Sequence, residues 1–164
     1  MRTAAVRQGP QLDLVACTSA AADPESLLTE IGGWLTGNGY TRDGFTEALT
    51  TRERDHPTGI LTAGGGVALP HAEPSLVARP VLVVCRPEAP VEFRRMDAPG
   101  RTVEAGVVLV LVIAAPDQHM ELLSGLAGVL GDGDRVRALA APLEPEAMLD
   151  VAAGQLAEAL PGAP

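Results

Sequence analysis

A single histidine stands where a proline cuts off a short apolar run. Pro57-Thr58-Gly59-Ile60 is followed by six mostly small residues and then by Val67-Ala68-Leu69-Pro70-His71. Val67-Ala68-Leu69 reads as a buried strand, too short to be a helix on its own. Pro70 has no N–H to donate and pushes Leu69 toward extended geometry, so the strand stops there. His71 is therefore presented at a strand end, on sterically restrained backbone. A neutral imidazole is a competent nucleophile at such a place. Its ordinary pKa of about 6.5 leaves most of it unprotonated near neutral pH. One ring nitrogen must attack while the other holds its proton, and a hydrogen bond from the second nitrogen to a backbone carbonyl would fix that tautomer. The residues leave open which nitrogen attacks, and they also fit a histidine that simply exits a strand.

Other reactive side chains are sparser. His119 opens a helical pattern three residues before Leu122 and four before Leu123, so it shares their core-facing side. Taken alone, it reads as a packing residue. Arg52, in Thr51-Arg52-Glu53-Arg54, precedes Pro57-Thr58-Gly59 and reads as a cation near a helix C-terminus, where positive charge is favourable. Its guanidinium fork would equally suit phosphoryl oxygens. Arg54 is the weaker candidate for that role, and His56 reads as a surface residue. Gly64-Gly65-Gly66 offers backbone N–H groups to an anion or forms a plain turn. His71, His119 and Glu73 lack any His-x-x-x-His or cysteine-rich spacing that would support zinc. Cys17 and Cys85 lie in apolar runs and read as buried thiols. Leu123-Ser124-Gly125 sits inside a helical pattern and does not form a serine-nucleophile elbow.

Composition narrows the chemistry further. The net charge of −9 argues against a nucleic-acid partner. All 12 basic residues are arginine. Without lysine there is no Schiff base, no attachment of pyridoxal phosphate or biotin, and no Walker-type phosphate loop. Binding of ATP by those routes is thereby excluded. No apolar stretch approaches the roughly 20 residues of a membrane helix. The N-terminus lacks a signal-peptide centre, so a cytoplasmic location is expected.

The elements that must position His71 follow from periodicity. The 164 residues suit one domain over 11–160, with a loose tail at 1–10 and another at 161–164. Residues 12–17 predict a strand. Asp23-Pro24-Glu25 opens a helix with an Asp N-cap, carrying Leu27, Leu28, Ile31, Trp34 and Leu35 and stopping near Gly37-Asn38-Gly39. A second helix is expected over 42–55. Strands follow at 80–85 and 91–93, with a turn over 96–101. The seven apolar residues at 107–113 must be covered on both faces, near the centre of a sheet. Helices over 116–130, 133–141 and 145–160 complete the chain. Interleaved strands and helices indicate an α/β fold, a single-domain three-layer α/β/α sandwich with a central mixed sheet.

Thr58-Gly59-Ile60 through Pro70-His71-Ala72 resembles the phosphorylation-site signature of enzyme IIA domains of the bacterial sugar phosphotransferase system, in the fructose/mannitol superfamily. Glu73-Pro74-Ser75-Leu76-Val77 and Pro90-Val91-Glu92-Phe93-Arg94-Arg95-Met96 look closest to the galactitol-type branch, and the resemblance covers roughly residues 12–160. It implies the same sandwich, with helices on both sides. It implies that His71 accepts a phosphoryl group through Nε2 from the phosphohistidine of the carrier protein HPr. His71 would then pass the group to a cysteine of an enzyme IIB, for uptake of a sugar or sugar alcohol. His119 would donate a hydrogen bond to the phosphoryl oxygens, and Arg52 would bind them. No cofactor or metal is implied. In-line transfer needs close docking, for which Val67, Leu69, Leu76 and Leu122 are candidates for an apolar rim. A monomer is expected. The alternative is a non-catalytic regulatory module of the same fold that binds partners according to the phosphorylation of His71.

Overall fold

Alternation along the apolar run at 107–113 divides the protein between two cores. The computed structural model describes residues 1–161, and the run forms most of β7 (Thr102–Val112). Val107, Leu109, Leu111 and Ile113 enter one core, while Val108, Val110 and Val112 enter the other. Successive strand side chains point to opposite faces, so a strand apolar at every position needs cover on both. One face is covered by α3 (Pro116–Leu130), α4 (Gly133–Leu139) and α5 (Pro145–Gln155). The other is covered by α1 (Pro24–Gly37) and α2 (Phe45–Asp55). The chain thus forms the expected α/β/α sandwich. Among the described residues, no helix is long and apolar enough to cross a membrane.

The sheet runs in the order β1 (Arg2–Arg7), β2 (Asp13–Ser19), β5 (Val81–Pro87), β7, β4 (Gly65–Ala68), β3 (Gly59–Thr62), and β6 (Val91–Arg94) also pairs with β7. β2 with β5 and β4 with β7 are parallel, and the other pairs are antiparallel. The sheet is therefore mixed. α1 begins as its sequence predicts: the Asp23 carboxylate accepts from the Ser26 N–H at 2.8 Å, Pro24 follows, and Glu25 lies in the first turn.

Several elements depart from the sequence expectation; β7, for one, begins at Thr102, five residues before the apolar run. Residues 1–10 are not a loose tail, because Arg2–Arg7 adds an edge strand against β2, with Val6 opposite Val15. Its Ala4 and Ala5 are small enough to pack toward the two cores. Of the second expected tail, Pro161 is buried and 162–164 lie outside the described residues. The second helix starts at Phe45 rather than 42. Gly44 adopts φ +88°, and Arg42 is tied instead to the 75–77 segment, its N–H donating to the Leu76 carbonyl and its guanidinium to the Ser75 and Val77 carbonyls. The last helix ends at Gln155, beyond which turns seat Ala159 against Gly125 of α3. Finally, residues 59–62 form a strand that the sequence reading does not anticipate, and the glycine triplet belongs to the β3–β4 hairpin.

Geometry requires glycine throughout that triplet, and two of its positions show why. Gly65 adopts φ +118°, a region that side chains disfavour. Gly66 faces β7, and a Cβ there would stand 2.1 Å from the Glu104 carbonyl oxygen. Gly66→Ala is therefore expected to lower unfolding free energy by about 2 kcal/mol or more. Gly33→Ala, in α1 with nothing near its would-be Cβ, should raise it by roughly 0.5 kcal/mol. Urea denaturation of the two variants checks both signs.

Candidate active site

His71 follows β4, at the point where Pro70 ends the strand. The Pro70 carbonyl accepts from the Leu111 N–H at 3.0 Å, and His71 itself bridges Leu111 of β7. The central strand thus runs on past the end of β4 and holds the segment that carries the histidine. The ring is half-buried. Its Nδ1 lies 3.0 Å from the Leu69 carbonyl oxygen. A carbonyl can only accept, so Nδ1 carries the proton and donates it. In the neutral ring Nε2 is then the nitrogen with the free lone pair. The tautomer question that the sequence leaves open is resolved by this contact.

His119 lies in the first turn of α3, and its ring meets that of His71 edge-on, with centroids 5.3 Å apart and planes at 64°. It is half-buried, so it borders the core without entering it. Arg52 comes from the last turn of α2, and its charge bears on both rings. Its Nη1 is 3.7 Å from the exposed Glu73 carboxylate, a loose contact. Its Nε is shielded from solvent and has no hydrogen-bond partner among the described residues. That N–H is a donor without an acceptor, beside two imidazoles. The three sequence-predicted residues Arg52, His71 and His119, which come from three separate segments, therefore converge.

Burial and neighbouring charge bias both rings toward the neutral form. Burial pushes the His71 pKa below its ordinary value, the bond to Leu69 and the Glu73 carboxylate oppose the shift, and the Arg52 charge adds to it. For His119 burial is again the main cause, with further lowering by His71 and Arg52. Like charges this close disfavour a second proton. A pair of neutral imidazoles beside a free guanidinium donor can offer one lone pair to an electrophile and can hold an anion around it.

Two residues beside the site have no role in the sequence reading, although Thr58 lies in the motif quoted there. Glu53 is 7% exposed and Thr58 is 3% exposed. The Thr58 N–H and hydroxyl donate to the two Glu53 carboxylate oxygens at 2.9 and 2.7 Å. Burial raises the Glu53 pKa, against the pull of both Thr58 bonds and of Arg94. A signal for Glu53 exists in the chain: Phe45, Leu49 and Glu53 recur every four residues, which places the acid on the buried stripe of α2.

The apolar rim needs correction. Val67, Leu69 and Leu122 belong to the core, and only Leu76 is partly exposed. Val67, Leu69 and Leu122 all pack in the core between the sheet and α3, α4 and α5. The exposed apolar side chain next to the site is Met120, 67% accessible beside His119. His56 is exposed at the end of α2, and Cys17 and Cys85 are buried partners across β2 and β5. Among the described residues, no group of three or more His, Cys, Asp or Glu side chains is placed to hold a metal ion.

Comparison with known proteins identifies the family and the fold. Residues 11–152 match the family model described as "Phosphoenolpyruvate-dependent sugar phosphotransferase system, EIIA 2". The chain is 32% identical to the galactitol-specific EIIA component of Escherichia coli K12 over 117 residues, covering 71% of this chain and 77% of that protein. It is 37% identical to the nitrogen regulatory protein of Pseudomonas aeruginosa over 97 residues, covering 58% and 60%. The fold matches enzyme IIA of mannitol in its complex with phosphorylated enzyme IIB from Escherichia coli. That match has a TM-score of 0.63 and 20% identity and covers 85% of this chain and 91% of that one. The chain belongs to the EIIA 2 family of the phosphoenolpyruvate-dependent sugar phosphotransferase system.

Proposed function

We propose that this chain is a phosphocarrier whose reactive atom is Nε2 of His71. In this reading it accepts a phosphoryl group from phosphorylated HPr in the cytoplasm. It then passes the group to a cysteine of an enzyme IIB serving a sugar or sugar alcohol of galactitol-like type. The observation that carries the reading is the 3.0 Å bond from His71 Nδ1 to the Leu69 carbonyl, which leaves Nε2 unprotonated. During transfer the Nε2 lone pair forms a bond to phosphorus as the donor histidine's N–P bond breaks. The donor nitrogen leaves with the electron pair. The His71 ring becomes cationic because Nδ1 keeps its proton, and its bond to Leu69 becomes charge-assisted and stronger. The phosphoryl oxygens are met by the guanidinium of Arg52, whose Nε–H has no other partner among the described residues, and by His119. Such positioning and electrostatic stabilisation is what phosphoryl transfer needs from a protein.

A second reading has a specific support, the relative from Pseudomonas aeruginosa described as a nitrogen regulatory protein. In it His71 is phosphorylated in the same way, and the chain reports that state to a partner instead of passing the group on.

Intact mass after incubation with phosphoenolpyruvate, enzyme I and HPr tests the acceptor. Wild type should gain one acid-labile phosphoryl group and His71→Ala none. No gain in wild type while HPr is itself phosphorylated overturns the assignment. Loss of the group on adding an enzyme IIB supports the transport carrier, and its retention against every enzyme IIB of the host favours the regulatory module. The electrostatics give a second expectation. In a side-chain NMR titration both His71 and His119 should have midpoints below the ordinary histidine value of 6.5. His71→Ala should move the His119 midpoint upward, because one cause of its lowering is gone. Midpoints at or above 6.5 contradict the neutral pair.

A further inference from the structure

Glu53 is a buried acid whose two oxygens are both used by Thr58. Burying a carboxylate is costly, and an apolar side chain on this stripe of α2 would avoid that cost. Its bonds continue beyond Thr58. The Thr58 hydroxyl gives its proton to Glu53, so its lone pairs face elsewhere, and it accepts the Leu69 N–H at 3.1 Å. Leu69 lies one residue past the end of β4. Its carbonyl is the group that receives His71 Nδ1–H. From the other side, the Leu111 N–H fixes the Pro70 carbonyl. Leu69 is thus held by Thr58 at its amide and by β7 one residue on.

We propose that Glu53 and Thr58 are positioning residues for the phosphoryl transfer, setting the tautomer and aim of His71 through the backbone of Leu69. The proposal rests on the reading of His71 as the acceptor. Glu53 anchors Thr58 twice, which fixes the hydroxyl rotor with its lone pairs toward Leu69. The hydroxyl holds the Leu69 amide. The Leu69 carbonyl then points at Nδ1, and Nε2 keeps its lone pair for phosphorus. Neither side chain touches the reacting atoms. The demand on the relay rises during the reaction, when the ring turns cationic and its bond to Leu69 strengthens.

The test uses the full chain as wild type, Thr58→Val, Thr58→Ser and Glu53→Gln. It has two readouts: the His71 tautomer by long-range proton–nitrogen NMR, and the rate of phosphorylation at saturating phosphorylated HPr. Wild type should show the Nδ1–H tautomer. Thr58→Val, which keeps the shape and removes the hydroxyl, should lose that preference. Its saturated rate should fall roughly fivefold to tenfold, the scale of one hydrogen bond, with KM for HPr unchanged. Thr58→Ser should return to within about twofold of wild type. Glu53→Gln, with a donor in place of one acceptor, should lose at least about threefold in rate. A Thr58→Val protein with the wild-type tautomer and rate overturns the proposal, as does a Thr58→Ser protein as slow as Thr58→Val, since packing would then be the cause. If Thr58→Val does not fold, Glu53→Gln decides, and a rate within twofold of wild type overturns the relay. If wild type accepts no phosphoryl group, the acceptor reading fails. The tautomer comparison, which needs no donor, still decides whether the relay exists.

Discussion

The bond from His71 Nδ1–H to the Leu69 carbonyl constrains the rest of the site. It decides which ring nitrogen keeps its lone pair in the neutral ring, and it does so with a group whose role cannot reverse, since a carbonyl has no proton to give. A side-chain partner could rotate or titrate. A backbone carbonyl moves only if the chain moves, and this chain is restrained by a proline, by the central strand and by a buried hydroxyl. The cost of order has therefore been met in folding, and little reorganisation is left for the reaction itself.

The sandwich supplies that rigidity. β7 is long enough to pair with β5, β4 and β6, and still to hold Pro70 and His71 beyond the end of β4. Helices on opposite faces deliver the two cationic or polar neighbours, Arg52 from α2 and His119 from α3. The net charge is −9, yet the site gathers two imidazoles and an arginine whose Nε–H has no partner among the described residues. In the proposed function these donors would hold the phosphoryl oxygens. The lowered proton affinity of both rings comes mainly from burial, to which the Arg52 charge adds.

Much of this was legible from residue types. Pro70 announces the strand end, the apolar run at 107–113 announces a two-sided central strand, and Asp23-Pro24-Glu25 announces the start of α1. The convergence of Arg52 and His119 on His71 came from resemblance to a family, because no local rule links segments so far apart in the chain. The Glu53–Thr58 pair stayed hidden behind its own chemistry: an acid and a hydroxyl read as solvated until their burial is known. Arg2–Arg7 stayed hidden because edge strands carry weak apolar patterns and often bear charge. β3 was obscured by its glycine-rich hairpin, whose residues signal turns more strongly than strands. The apolar rim failed for a simpler reason: the residues nearest His71 in the chain alternate into the core, and the exposed neighbour, Met120, comes from another element.

Locating the phosphoryl group at atomic resolution tests the central claim most directly. The phosphorylated full chain, labelled with nitrogen-15, can be examined by long-range proton–nitrogen correlation through the His71 ring. The geometry predicts phosphorus on Nε2 and a proton retained on Nδ1. Phosphorus on Nδ1, or on any residue other than His71, would contradict it.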